Sequence, residues 1–134
     1  LNLTRSRAGH AEVLAARDRA RKLLKPYQAK LAKGFPGLEH LLVKAPFDEG
    51  ENREWMWVEV QTWKNGVLKG PLVNDPELIE KLVSGQIVEV KETDVFDFIY
   101  ELEDGTFYGN ETGKVMDPKR FIDVGGGKAR LAGP

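Results

Sequence analysis

Three tryptophans mark the first place where this sequence could do chemistry. In the run from Glu54 to Trp63, Trp55, Trp57 and Trp63 alternate in step with Glu59 and Gln61. One extended strand would therefore present all five on one side, with Met56, Val58, Val60 and Thr62 on the other. Rings mixed with polar groups suit a protein partner or a flat ligand. A single-layer sheet also needs a cover, and the expected arrangement puts an N-terminal helix on this face, with Tyr27 and Leu31 against the rings.

Carboxylates are the second candidate. Glu54, Glu59, Asp97 and Glu101 would converge if their strands were neighbours, and paired carboxylates can divide the roles of acid and base. They also occur on any solvated acidic sheet. Asp97 precedes the apolar run Phe98-Ile99-Tyr100. Its expected role is structural, accepting hydrogen bonds from backbone amides of the preceding turn. A third set is polar: Asn74 and Asp75 together with Gly109, Asn110 and Thr112 would line a small pocket at one end of the sheet, or serve as turn residues alone. The candidate binding residues are thus Trp55, Trp57, Glu59, Trp63, Asp97, Tyr100, Asn74 and Thr112, with no catalytic set, metal site or cofactor among the expectations.

Other chemistries lack their residues. There is no cysteine, so thiol nucleophiles, disulfides and thiolate zinc sites are excluded. His10 and His40 have no partner at ligand spacing. Asp48–Asn52 lacks the ligand spacing of an EF-hand loop. Ser6 and Ser84 have no nucleophile-elbow context. Gly125-Gly126-Gly127 leads to Lys128-Ala129 rather than to the Lys-Ser/Thr of a phosphate loop.

These residues need elements to hold them. Residues 8–32 are rich in Ala, Leu, Arg and Lys, with Val13, Ala16, Ala20, Leu23, Leu24, Tyr27 and Leu31 at helical spacing. Pro26 breaks this stretch, which predicts a kink or a second short helix. Strands are predicted over 39–47, 54–63, 67–73, 86–91, 96–101 and 106–108, with a further short one at 120–124. Asn65-Gly66 and Asp104-Gly105 supply the hairpin turns. Asp75-Pro76 predicts a short helix over 76–83. The expected fold is α+β: N-terminal helices over residues 8–33, packed on a strongly twisted, mainly antiparallel sheet of about five strands within 39–113, curled toward a partial barrel. Residues 1–113 form the expected single domain, and 114–134 a C-terminal extension, partly mobile.

At 134 residues the chain suits one such domain without disulfides or metal. No apolar run is long enough to span a membrane, and none in residues 1–20 suits a signal peptide, so a soluble, cytoplasmic protein is expected. The chain begins at Leu1 rather than Met, as a processed product or a piece of something longer would. Its net charge of −1 hides a division. Residues 1–33 carry nine Lys/Arg against two acids, 34–113 six against seventeen, and 114–134 five against two. The basic helix is expected to complement its own acidic sheet, and a free acidic surface would favour a basic partner. An acidic body repels phosphates, so nucleic acid is not an expected partner.

Several short pieces occur in the order of a known family. They are LVKAPF at 42–47, EWMWVEV at 54–60, the set Gly70, Leu72, Asn74 and Pro76, then Gly85 with Val88 and Val90, DFIY at 97–100 and YGNET at 108–112. Together they resemble the bacterial domain of unknown function 2314. Trp55 stands where that family has His, and Phe98 where it has Trp. The resemblance implies a bacterial α+β domain and no activity. The expected function is a non-catalytic protein-binding module of immunity or inhibitor type, meeting a basic protein through an acidic, aromatic sheet surface. The alternatives are a small enzyme or ligand-binding domain that uses the carboxylates and tryptophans, or an accessory domain of a longer chain.

Overall fold

The computed structural model describes residues 9–133. Ser6 and the expected helix start at Ala8 lie outside the described residues. Two helices, α1 (His10–Leu24) and α2 (Tyr27–Lys33), are separated by a bend at Lys25-Pro26. Proline ends α1 because it has no amide to donate, and it sits at the N-cap of α2.

Nine strands follow among the described residues, in two sheets. The larger contains β1 (His40–Glu49), β2 (Asn52–Glu59), β6 (Asp97–Glu101), β7 (Phe107–Gly109), β8 (Phe121–Gly125) and β9 (Lys128–Leu131), in the spatial order β2-β1-β6-β7-β9-β8. The smaller contains β3 (Thr62–Lys64), β4 (Val67–Pro71) and β5 (Ile87–Lys91), in that order. Every pairing is antiparallel. The fold is the expected α+β, with more strands than expected and no closed barrel. A third helix, α3 (Glu111–Met116), lies between β7 and β8.

The inner face of the large sheet is built by strict alternation. Leu41, Val43 and Ala45 of β1, Met56 and Val58 of β2, and Phe98 and Tyr100 of β6 are buried in one core with Ala20 and Leu24 of α1 and with Leu68, Leu72, Ile79, Val88 and Val90. Tyr27 of α2 packs on Phe98 and Tyr100 at ring-centroid distances of 5.5 and 4.7 Å. The basic helix also reaches the acidic body. Arg19 lies 3.7 Å from Glu111, Lys25 2.7 Å from Glu92, and Arg21 donates to the carbonyls of Val95 and Thr93.

Three expectations are corrected. The strand predicted over 54–63 stops at Glu59 and restarts at Thr62 in the other sheet. Val60 and Trp63 are both buried although they are three residues apart, so the alternation changes phase between them. The crossing is tight: a Cβ on Gly70 of β4 would run into the Glu59 carbonyl, so only glycine fits there.

The helix predicted over 76–83 is a series of turns. Its amides are taken by distant carboxylates. Glu54 accepts from Glu77 and Leu78, and Glu49 accepts from Glu80 and Lys81, all at 2.8–3.1 Å. Glu54 is held below the usual carboxylate range by the amides of Leu78 and Glu77.

Residues 114–133 are built into the domain. They finish α3 and then form the β8–β9 hairpin, which joins the sheet through the pair Phe107↔Ala129. The expected boundary at 113 falls inside α3.

Candidate functional site

The helices cover the face opposite the one expected. Residues of even number on β1 and odd number on β2 and β6 point outward, away from α1 and α2, because the register sets Trp57 and Asp97 on either side of Lys44 and Glu59 and Ile99 on either side of Leu42. Among the described residues, the Trp57 side of the sheet therefore has no helical cover except at one corner, where α3 packs.

That corner is organised by Asp97, which is fully buried. Its Oδ1 accepts from the amides of Phe98 at 2.8 Å and Glu111 at 3.1 Å. Its Oδ2 accepts from the amide of Thr112 at 2.8 Å and from the Thr112 hydroxyl. Asp97 thus supplies the oxygens that the first turn of α3 needs, since Asn110 at the N-cap makes no side-chain cap. The amides belong to the following segment, not to the preceding turn as expected. Gly109, at φ +93°, sets up this corner: a Cβ there would meet the Phe98 carbonyl. Burial raises the Asp97 carboxyl above its ordinary value, with the hydrogen bonds from Thr112, Phe98 and Glu111 pulling it down.

Beyond the corner the outer face opens into a groove of about 860 Å³. Its floor is Leu42, Lys44, Trp57 and Ile99, and its far wall is Phe107, Met116 and Phe121, with Arg120, Arg130 and Glu101 along the rim. Phe107 and Phe121 meet edge to face at 6.1 Å, which fixes the hairpin wall against the floor. At the open side of the floor, Trp55 is 43% exposed and packs on Phe96 at 4.7 Å. Cations sit on these rings. Lys44 Nζ lies 5.9 Å from the Trp57 centroid and 6.0 Å from that of Phe96, and the Arg53 guanidinium lies 5.9 Å from Trp55. Burial lowers the Lys44 ammonium below its ordinary value, and the Asp97 charge offsets part of that.

The remaining candidates are dispersed. Trp63 is in the inner core, its Nε1–H donating to Glu92 at 2.7 Å. Tyr100 is also on the inner face, its hydroxyl bonded to Glu39, and burial together with that carboxylate raises it far above an ordinary phenol. Glu59 lies on the outer face, 2.7 Å from His40 Nδ1. Asn74 and Thr112 bond to different partners, Trp57 and Asp97. The Asn74 Oδ1 accepts from the Trp57 amide at 2.6 Å, while the Trp57 carbonyl accepts from Val73. Of the eight candidates, Trp57, Trp55 and Glu59 share the outer face of β2, and Asp97 with Thr112 forms the adjoining corner.

Glu54, Glu59, Asp97 and Glu101 do not converge. Glu54 serves the 77–78 turn, Glu59 meets His40, and Asp97 is enclosed. Among the described residues no three His, Asp or Glu side chains are grouped to hold a metal ion. The residues that sequence reasoning passed over are Lys44, Phe96 and the wall residues Phe107, Met116 and Phe121. Lys44 did leave a signal: it is the one charged residue within the apolar run Leu41–Phe47.

The chain belongs to a defined bacterial group. The family described as an uncharacterized protein conserved in bacteria (DUF2314) matches residues 10–120, and the chain is a member of it. The chain is also similar to the uncharacterized protein YegJ of Escherichia coli (strain K12), with 33% identity over 76 residues. That match covers 57% of this chain and 47% of YegJ, so the chain spans about half the length of that relative. No solved structure matches the chain. No helix among the described residues is long and apolar enough to cross a membrane.

Proposed function

We propose that this chain is a non-catalytic binding module of the bacterial cytoplasm and that the groove on the outer face of its large sheet is the binding surface. The observation that carries this reading is the placement of Trp57. It lies on the floor of a concavity of about 860 Å³ that combines an apolar floor and far wall with a charged rim, on the side of the sheet that α1 and α2 leave open. Binding sites are concave and pair apolar surface with polar groups that orient the ligand, and this groove offers both. The carboxylates that an enzyme reading would use are dispersed or enclosed.

A basic protein is the first occupant to test. Glu101, Glu103 and Asp104 are exposed around the β6–β7 turn, where Glu101 and Asp104 edge the groove, and favour a positively charged partner. An immunity-type or inhibitor-type role against such a protein is the specific form of this reading. Against it, the aromatic surface itself carries Lys44 and Arg53, while Glu49, Glu54 and Glu92 are engaged within the fold. A small ligand is the second occupant, favoured by the concavity.

The test is a tagged pull-down from bacterial lysate at low and high salt, with Trp57→Ala as the control. A basic protein held only at low salt and lost in a folded Trp57→Ala variant supports the protein reading. Retention that is indifferent to both salt and Trp57 overturns it.

A further inference from the structure

We infer that the groove binds a small organic acid, with the ligand's carboxylate on the Lys44 ammonium and its hydrocarbon body on Trp57, Leu42 and Ile99. This inference rests on the groove being the binding surface and adds what it takes.

The floor of the groove carries an unmatched charge. Lys44 stands in the middle of the floor, in register with Trp57 on one side and Asp97 on the other. Asp97 is the obvious counter-ion, but both of its oxygens are occupied by Thr112 and by the amides of Phe98 and Glu111. Among the described residues, no hydrogen bond or ion pair reaches Lys44 Nζ, whose near contacts are the faces of Trp57 and Phe96. Ring faces attract an ammonium but accept none of its three N–H bonds as an oxygen would. The ammonium is therefore partly removed from water with no hydrogen-bonded anion, only the nearby Asp97 charge offsetting part of the loss, and its lowered affinity for the proton agrees with that.

An incoming carboxylate would supply what is missing. Charge-assisted hydrogen bonds to a half-buried ammonium are stronger than those in open water. Lys44 is the cation of the floor, and Arg120 and Arg130 add positive charge at the rim, where Glu101, Asp104 and Asp117 also stand. Beside Lys44 are the indole of Trp57 and the side chains of Leu42 and Ile99, with Met116 and Phe121 across the groove. That surface suits a ring or an alkyl chain, and the volume suits a small molecule.

The experiment uses the full chain labelled with nitrogen-15, titrated with 4-phenylbutanoate, decanoate and the uncharged 4-phenylbutanamide. Backbone amide and indole N–H shifts are followed. The carboxylates should move Lys44, Trp57, Leu42 and Ile99, and 4-phenylbutanamide should bind at least about tenfold more weakly than its acid. Lys44→Met, which keeps an unbranched apolar stem, should remove the preference for acid over amide while leaving amide binding intact. Lys44→Gln provides a second variant if the first does not fold, and the acid–amide contrast in the unaltered chain needs no variant. Equal binding of acid and amide overturns the inference, as does a preference that survives the loss of Lys44. Failure of every probe to shift groove residues overturns it too. The groove reading itself falls only if, in addition, no partner depends on Trp57 in the pull-down.

Discussion

The two faces of the large sheet are made by the same strands yet solve opposite problems. On the inner face, Leu41, Val43, Met56, Val58 and Phe98 are sealed in the core, and no charged side chain interrupts them. On the outer face, the intervening residues include Lys44 and Asp97, side by side across β1 and β6. Asp97 is completely satisfied and Lys44 is not. The lesson is that burial alone does not distinguish structure from function here. What separates the two residues is whether the fold provides partners. Four donors converge on Asp97 and lock α3 to the sheet, whereas Lys44 faces a groove.

The contrast can be broken most severely from the inner face. Phe98→Ala removes a ring at 1% exposure that Tyr27 packs against, and should cost about 3–5 kcal/mol in a chemical denaturation experiment. Trp57→Ala, on the outer face, should cost roughly 1 kcal/mol, because its ring is only half-buried. If the two losses were equal, the outer face would be core and not a binding surface.

Next in size is the enclosed corner. Asp97→Ala leaves two or more buried amides without an acceptor and should cost roughly 2–4 kcal/mol, whereas Asp97→Asn keeps one carbonyl oxygen and should cost less. The pH dependence sharpens this. The folded-state value of Asp97 is raised, so its contribution is present below the unfolded value near 4 and is lost as pH rises through the folded value. Glu54 and Glu92 are lowered in the folded state and work in the other direction, losing their contribution as pH falls through their folded values. Asp97→Asn should therefore make acid denaturation begin at higher pH than in the unaltered chain, a shift measurable by circular dichroism.

The smallest expected effect is at Lys44. Lys44→Met should change stability by less than about 1 kcal/mol, and a small gain is consistent with removing an unmatched charge. A large loss would mean that Lys44 has a structural partner after all.

Much of this architecture was legible in the sequence. The alternation at Leu41, Val43, Ala45 and Phe47, the Asn65-Gly66 turn and the break at Pro26 each report a local constraint, and local constraints are visible to periodicity. The failures share one cause, which is long-range pairing. Nothing near Asp75-Pro76 announces that Glu49 and Glu54 will capture the amides of the next turn and take them from a helix. Asp97 and Thr112 are fifteen positions apart, and only the β6–β7 pairing brings them together. The phase change between Val60 and Trp63 was visible as two apolar residues three apart, but three tryptophans in step outweighed it. For the tryptophans, alternation assigns two faces without saying which one the helices take.

Asn74 has a consequence for the behaviour of the protein in concentrated solution. β2 is the last strand on its side of the large sheet, and such a strand offers its unpaired N–H and C=O groups to any other extended chain. At Trp57 both groups are already occupied, the amide by the Asn74 side chain and the carbonyl by Val73, and Val58 is bridged to Leu72. One amide side chain thus imitates a neighbouring strand and blocks edge-to-edge growth of the sheet. At the opposite margin, β8 carries exposed Ile122 and Val124 with no strand beyond it among the described residues, so self-association into fibrous or amorphous aggregates would start there and not at the tryptophans.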